Sequence, residues 1–598
     1  MGHPGHPSGT PTSRLNVTNL LPWTSRTGYY SFMSKDSLVD CASLRFSDLR
    51  EAELFILKVV QSGQGSIATA PSTVRAEVIE WLCTDSAAVE MVPRQGLSLS
   101  GYRITGLLDL INADVHFPIQ LCRCEFDSDI WLKGARLRSL SFRGCVLQGV
   151  IADSATIDTN LLLIDGCETH GEISLRGAAI GGDFRADGST FNGNNNFALV
   201  CDRVKVSGGV FLSQSSSISR YYGEVRFAGA EVSGNFDCEH AAFNNEGGTC
   251  INLERLNTRG SLFLRRSVSS GVVNVSASKV EVALDCRDAK ILCDADRALV
   301  AEKISIGTHA LLDGGFSCGN VHLLGASVGG GLRCRASSIK KLDLRYARIG
   351  AHFEWADMDN PKDSLIDLRD AVVDSIKDEV QSWPGQGRFM VNGLRFERFS
   401  DSVTDVRSRL AWLRLDTTDP VQAYRQLSRV YQANGRPEDA VKVLFALEKL
   451  IRSRQRSFTH RLWNGLLMQT IGYGYQLWRA AILMVVLIIL GTGMSVMAYR
   501  TKLVAPTDKE ANAQFVSKYS VPTQYPRFSA TIFSIEHSLP GLNLGISGSW
   551  SANTTADCPT HHWVGPTIRI WFWTQTVLGW FISIFFLAGI SGIAKSSK

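Results

Sequence analysis

The chain has 598 residues, of which 44% are hydrophobic and 20% charged, and its formal net charge is +5. So small a charge over that length argues against a general nucleic-acid binder. With 53 Gly and only 17 Pro, the composition suits many tight corners and few rigid linkers.

Residues 1–40 read as a disordered tail. Met1 to Arg14 is rich in His, Pro, Gly and Ser and has no apolar stretch of the secretory type. Gly2 is present, but His6 stands where a myristoylation motif needs Ser or Thr. Without a secretory segment, the 14 cysteines read as reduced cytoplasmic thiols. Residues 41–96 follow as a helical N-terminal cap, carried by SDLREAELFILKVV from Ser47 and STVRAEVIEWLC from Ser72.

Residues 97–400 hold an internal repeat. Segments starting at Gly171, Gly223, Gly271 and Gly319 align, 52, 48 and 48 residues apart. Ile173, Val225, Val273 and Val321 are equivalent, as are Phe184, Phe236, Leu284 and Leu332. A second segment recurs between them from Ala198, Cys250 and Ala298, so each unit of about 50 residues holds two similar halves. Period-two alternation means strands with one buried face, and small residues mark the corners. An antiparallel sandwich explains the alternation but not the long period. The expectation is a mainly β fold: a β-solenoid resembling pentapeptide-repeat or parallel β-helix proteins.

Residues 401–456 form a helical hairpin similar to one tetratricopeptide unit, with Asp419 as N-cap, Pro420 in the first turn, and Tyr424, Leu427, Tyr431, Ala440 and Leu444 as its core. A basic juxtamembrane segment covers 457–479. Within it, Gln469–Tyr475 superficially resembles a potassium-channel filter, but no outer span precedes it, so it reads as an interfacial turn. Residues 480–499 and 570–594 are uncharged and long enough to span a bilayer. The loop between them, 500–569, contains an apolar stretch, Phe528 to Ile546, placed where a re-entrant helix would lie. A thiol-rich domain ahead of the first span is expected to stay cytoplasmic, together with the C-terminus, with 500–569 outside.

Little in the sequence carries chemistry. Cys238, Cys286 and Cys334 share one repeat position, where the first copy has Ala186; they read as a stacked internal ladder of small apolar side chains. Cys122-x-Cys124 places two thiols on one strand face, without the further ligands a zinc set needs. The glycines of 177–182 and 325–331 belong to the repeat and precede no helix, so they are no dinucleotide fingerprint. Carboxylate pairs such as Asp285 and Asp288 are what outward positions of a solenoid would show anyway. No catalytic, cofactor-binding or metal-binding residue is assigned, and no cofactor is expected.

GLSLSGYRITGLLDL from Gly96, the repeats, QAYRQLSRVYQANGRPEDA from Gln422, IGYGYQLWRA from Ile471 and FSIEHSLPGLNL from Phe533 occur in that order. Together they resemble a bacterial family of β-solenoid, two-span membrane proteins of unassigned activity, some of which carry the label membrane-associated oxidoreductase. The resemblance covers about residues 45–595 and implies the fold and a bacterial inner-membrane location. The label finds no flavin, nicotinamide, haem or iron–sulfur signature here. The functional expectation is a membrane-anchored scaffold or sensor. It would bind a protein partner through the solenoid or the hairpin, associate with copies of itself, and bind no nucleic acid. The alternatives are an oligomeric pore-forming or membrane-disrupting effector and, on fold analogy alone, an enzyme on the solenoid face.

Overall fold

The computed structural model describes residues 37–215, 217–418, 420–454, 478–553 and 564–590. Most of the expected tail, Asp419, the filter-like 469–475 and Cys558 of the 500–569 loop lie outside those residues. The chain is a β-solenoid of about 13 coils, with helices before and after it and two long apolar helices near its end. At ~4.8 Å per coil the stack is roughly 60 Å long.

Each coil carries four short parallel strands, one on each of four faces. Face one is a ladder running Leu97, Ile119, Leu140, Leu161, Phe184, Val210, Phe236, Leu262, Leu284, Ala310, Leu332, Phe353, Ile376 and Phe399. Faces two, three and four start from Arg103–Ile104, Leu108–Asp109 and Asp114–Val115. The equivalent residues Phe184, Phe236 and Leu284 lie two coils apart, with Val210 and Leu262 between them. The repeat of about 50 residues is therefore two coils, and its two halves are single coils.

The reason for a two-coil period lies in the core. Two residues beyond the Phe184 position, the inward side chains run Ala186, Leu212, Cys238, Leu264, Cys286, Leu312, Cys334, each joined to the next coil through the backbone. Small and large residues alternate, so adjacent layers interdigitate in a narrow lumen. This corrects the expectation of a stacked thiol ladder: Cys238, Cys286 and Cys334 share a column, but leucines separate them. On face two, Phe191, Tyr221 and Phe243 do stack directly, with ring centroids 5.1 and 5.0 Å apart.

One corner recurs as a left-handed residue in coil after coil: Gly177, Arg203, Gly229, Arg255, Ala277, Lys303, Gly325, Tyr346. The non-glycine members cost on the order of 1 kcal/mol each. Stacking over-determines them, because the Gly177, Arg203 and Gly229 N–H groups donate to Asp202, Ala228 and Glu254 carbonyls of the next coil at 2.8, 2.9 and 2.8 Å. A second left-handed corner at Arg123 separates Cys122 from Cys124. The two thiols therefore do not share a strand face: Cys122 ends one strand, and Cys124 turns inward beyond the corner.

Helices close both ends. At the start, α1 (Leu38–Arg45), α2 (Glu51–Gln61), α3 (Ala76–Thr84) and α4 (Ser86–Met91) surround a strand, Ser66–Arg75, that pairs in parallel with Leu97–Thr105. The cap is thus not wholly helical. Its buried Glu53 accepts from Arg75 Nη2 at 2.7 Å and from the Arg50 N–H at 2.9 Å. At the far end, α5 (Val406–Leu413), α6 (Val421–Ala433) and α7 (Pro437–Arg454) cover the last coil. Gln426 Nε2 donates to the Phe396 carbonyl at 2.7 Å and Asn434 Nδ2 to that of Glu397 at 3.1 Å, blunting the exposed strand edge. Helix α6 starts at Val421, so Pro420 stands at the cap rather than in the first turn.

Candidate functional site

Among the described residues, two helices are long and apolar enough to cross a membrane: α8 (Trp478–Arg500) and α12 (Val564–Ile590). Between them the chain builds a compact layer. It comprises α9 (Lys509–Lys518), α10 (Ala530–Ser538), the single turn α11 (Ile546–Ser549), and an antiparallel pair of strands, Val504–Pro506 with Trp550–Ala552. Tyr499, Phe515, Phe528 and Trp550 pack their rings together at the end of α8.

Helix α10 starts at that aromatic layer and runs back along the two long helices. Ser529 caps it, and Phe533 sits edge-to-face on Phe572, centroids 5.1 Å apart. At the next residue, Ser534 Oγ donates to the Ile488 carbonyl at 2.9 Å and accepts from Gln575 Nε2 at 2.8 Å. The same amide nitrogen reaches Ser538 Oγ at 2.9 Å. Ile488 and Gln575 both lie near the midpoints of their helices, so α10 penetrates about halfway along them. Two glycines permit this approach. A Cβ at Gly579 would meet the Ser538 carbonyl, and one at Gly491 would meet Gln575 Nε2 and Ser534 Oγ. Among the described residues, Ser495 Oγ, Trp571 Nε1 and Gln575 Oε1 are buried without a hydrogen-bond partner.

After Ser538 the chain turns and returns. The Glu536 carboxylate gathers this turn by accepting the N–H groups of Leu544, Ile546 and Ser547. Gly541 and Gly545 take the left-handed conformation that the reversal requires. Pro540 to Gly545 are exposed. Among the described residues, none of the Pro540, Gly541, Leu542, Asn543 and Leu544 carbonyls accepts a hydrogen bond.

The outer faces of the solenoid carry ion pairs. Asp285, Asp343 and Asp367 each take the guanidinium two residues on, at 2.7, 2.6 and 2.6 Å, as Asp-x-Arg forks. Asp285 is therefore neutralised by Arg287. Asp288 stands at an exposed corner, 3.6 Å from Arg266, so the two do not form an acid–base pair. Along face one, Arg333 joins Asp313 (2.8 Å) to Glu354 (3.5 Å), and Lys377 joins Glu354 (3.5 Å) to Asp401 (3.4 Å). There His309, Arg333, Arg335, His352 and Lys377 border an open depression of about 380 Å³. Burial pushes the Asp313 carboxyl above its ordinary value and the His352 imidazole below its own.

A contiguous thiol column does exist, at a position that the sequence reading passed over. Cys124, Cys145 and Cys167 occupy successive coils next to face two, all buried, with Sγ donating to the carbonyls of Leu99 (3.7 Å), Leu121 (3.2 Å) and Phe142 (3.3 Å). Their spacings of 21 and 22 residues are the single-coil period, which a search at the double period does not register. Set against protein-family models, curated proteins and solved structures, the chain matches none.

Proposed function

We propose that the protein is a membrane-tethered scaffold or sensor of the bacterial inner membrane. The solenoid and the C-terminus would lie on the cytoplasmic side, the solenoid presenting a rigid face to a protein partner. The observation that carries this reading is the closure of both solenoid ends by helices on a chain with two apolar spans. With its edges sealed, the stack does not extend by strand addition, and the long side faces are what it offers. Thirteen described cysteines are unpaired and nearly all buried, in keeping with a reducing compartment.

Face one is the docking face in this reading. In its depression between His309 and Lys377, Arg333 and Lys377 are held by Asp313, Glu354 and Asp401, while Arg335 has no ion-pair partner among the described residues, which fits an acidic side chain on the partner. The test is photo-crosslinking in intact membranes, with a benzophenone amino acid at Leu311 on face one or at Tyr346 on another side. The expected result is an adduct of one defined size from Leu311, lost on Arg335→Glu and absent from Tyr346. Absence of any adduct from Leu311 and its face-one neighbours would sink the scaffold reading.

A further inference from the structure

We propose that copies of this chain assemble through the membrane module into a water-filled path for monovalent cations, lined by the backbone carbonyls of Pro540 to Leu544. The inference takes from the preceding section only that α8 and α12 span the membrane.

The argument starts from backbone polarity. Helix α10 ends beside Gln575 and Gly579, close to the middle of α12, so the turn that follows it lies at membrane depth. Irregular backbone at that depth is tolerated only where protein buries it or water bathes it, because an unpaired peptide group in hydrocarbon costs several kcal/mol. Here five successive carbonyls have no hydrogen-bond donor among the described residues, and the residues that carry them are exposed. The turn is nevertheless held in shape. Glu536 takes the N–H groups of Leu544, Ile546 and Ser547, which leaves the carbonyl oxygens as the uncommitted polar atoms.

Two long helices and one half-length helix do not enclose a path, so the cover comes from further copies. Closed cyclic symmetry sets the same segment of every copy around one axis, and in this assembly the 540–544 turn faces that axis. Carbonyl oxygens would then face carbonyl oxygens, an arrangement that repels unless water or a cation sits between them. The local field selects the sign. The C-terminal end of α10 carries the negative end of its dipole, and residues 539–546 contain no charged side chain. Rings of carbonyl oxygens at a half-helix terminus replace a cation's hydration shell. Ser495, Trp571 and Gln575, buried with unpaired polar atoms, add interior sites that water or a neighbouring copy would satisfy.

The experiment uses the purified full chain in liposomes. Resistance of the native membrane fraction to alkaline carbonate is scored first: release into the supernatant would overturn the spanning reading itself. Oligomers are then counted by crosslinking in nanodiscs, and potassium and chloride efflux are measured separately. The expected result is oligomers and potassium efflux above that of empty vesicles, with chloride retained. Leu544→Cys tests the lining. A water-borne cationic thiol reagent should bring its efflux down to the empty-vesicle level, while Ile489→Cys, on an exposed face of α8, stays unaffected. Verified oligomers without efflux, chloride flow equal to potassium flow, or a Leu544→Cys thiol inert to the reagent would each overturn the proposal. A monomer in nanodiscs would do so as well.

Discussion

Arg409 and Asp378 meet in a two-pronged ion pair, 2.8 and 2.7 Å, with both side chains buried where the last coil meets α5. Asp378 follows Ile376 by two residues on face one, the column position that Leu312, Cys334 and Trp355 fill in earlier coils. Trp383 Nε1 donates to the same carboxylate at 2.8 Å, and the guanidinium lies 3.7 Å from the centre of the Phe399 ring. Where the stack ends, an inward polar residue finds its partner on the cap rather than on another coil.

Removing one member of that pair leaves a buried charge. Arg409→Met should therefore destabilise the solenoid by about 3–5 kcal/mol. Asp378→Leu combined with Arg409→Met should cost much less, because leucine suits the column. Thermal unfolding of the purified protein in detergent, run as a double-mutant cycle, measures this. A double variant as unstable as the worse single one would show that the pair is not the lock.

The alternation of small and large core residues sets a graded series at Cys286. Ala should be mild, since Ala186 fills the equivalent site. Leu should cost about 1–3 kcal/mol by placing a third leucine between Leu264 and Leu312. Asp should prevent stable folding, because it buries an unpaired carboxylate. Burial raises the thiols of Cys238, Cys286 and Cys334, and pushes that of Cys318 up to about 12. All four should resist maleimide in the folded protein and react after denaturation. Rapid labelling of Cys286 in the native state would mean that this column faces outward.

Two carboxylates should show opposite pH dependence. Burial raises Asp343, but the Arg345 fork, a backbone N–H and nearby positive charge outweigh it, and the group sits below its ordinary 3.8. Its contribution to stability is present above 3.8 and is lost as pH falls through the folded value. Burial puts Asp313 above 3.8, so the folded state holds that proton more tightly, and stability falls as pH rises through its folded value. Asp343→Asn should thus be most harmful at neutral pH and lose its effect in acid. Asp313→Asn should compare best with wild type at neutral pH and worst in acid. Unfolding midpoints across the acid range decide; parallel curves for both variants would refute the assignment.

Close approach of α10 depends on Gly579. Alanine there meets the Ser538 backbone carbonyl, which cannot step aside, and should cost about 1–3 kcal/mol in docking of the half-length helix. Gly493→Ala meets nothing within 4 Å and serves as the neutral control. Protease access to the 539–545 turn in nanodiscs should rise for the first variant and not for the second. Equal protection in both would place α10 elsewhere.

Much of the architecture was legible in the residues. Period-two alternation from Leu97 onward, the recurrence of Phe184, Phe236, Leu284 and Leu332, and two uncharged stretches each report a local rule, because side-chain direction and bilayer thickness act on short segments. The reading of about 50 residues with two similar halves corresponds to two coils, because alternation of Ala or Cys with Leu makes every second coil alike. Its error was to place Cys122 and Cys124 on one face, since no local rule announces a left-handed corner at an arginine.

A β-solenoid followed by two long apolar helices was legible in the residues themselves, as was roughly where each begins. Which distant residues meet was set by packing: Asp378 with Arg409, Gln575 with Ser534 and Ser538, and the uncovered carbonyls beyond Ser538. Periodicity and hydropathy are sums over neighbours in the chain. An ion pair at a sealed end, or a half-length helix between two long ones, depends on groups 31 to 46 residues apart, whose approach is settled by packing.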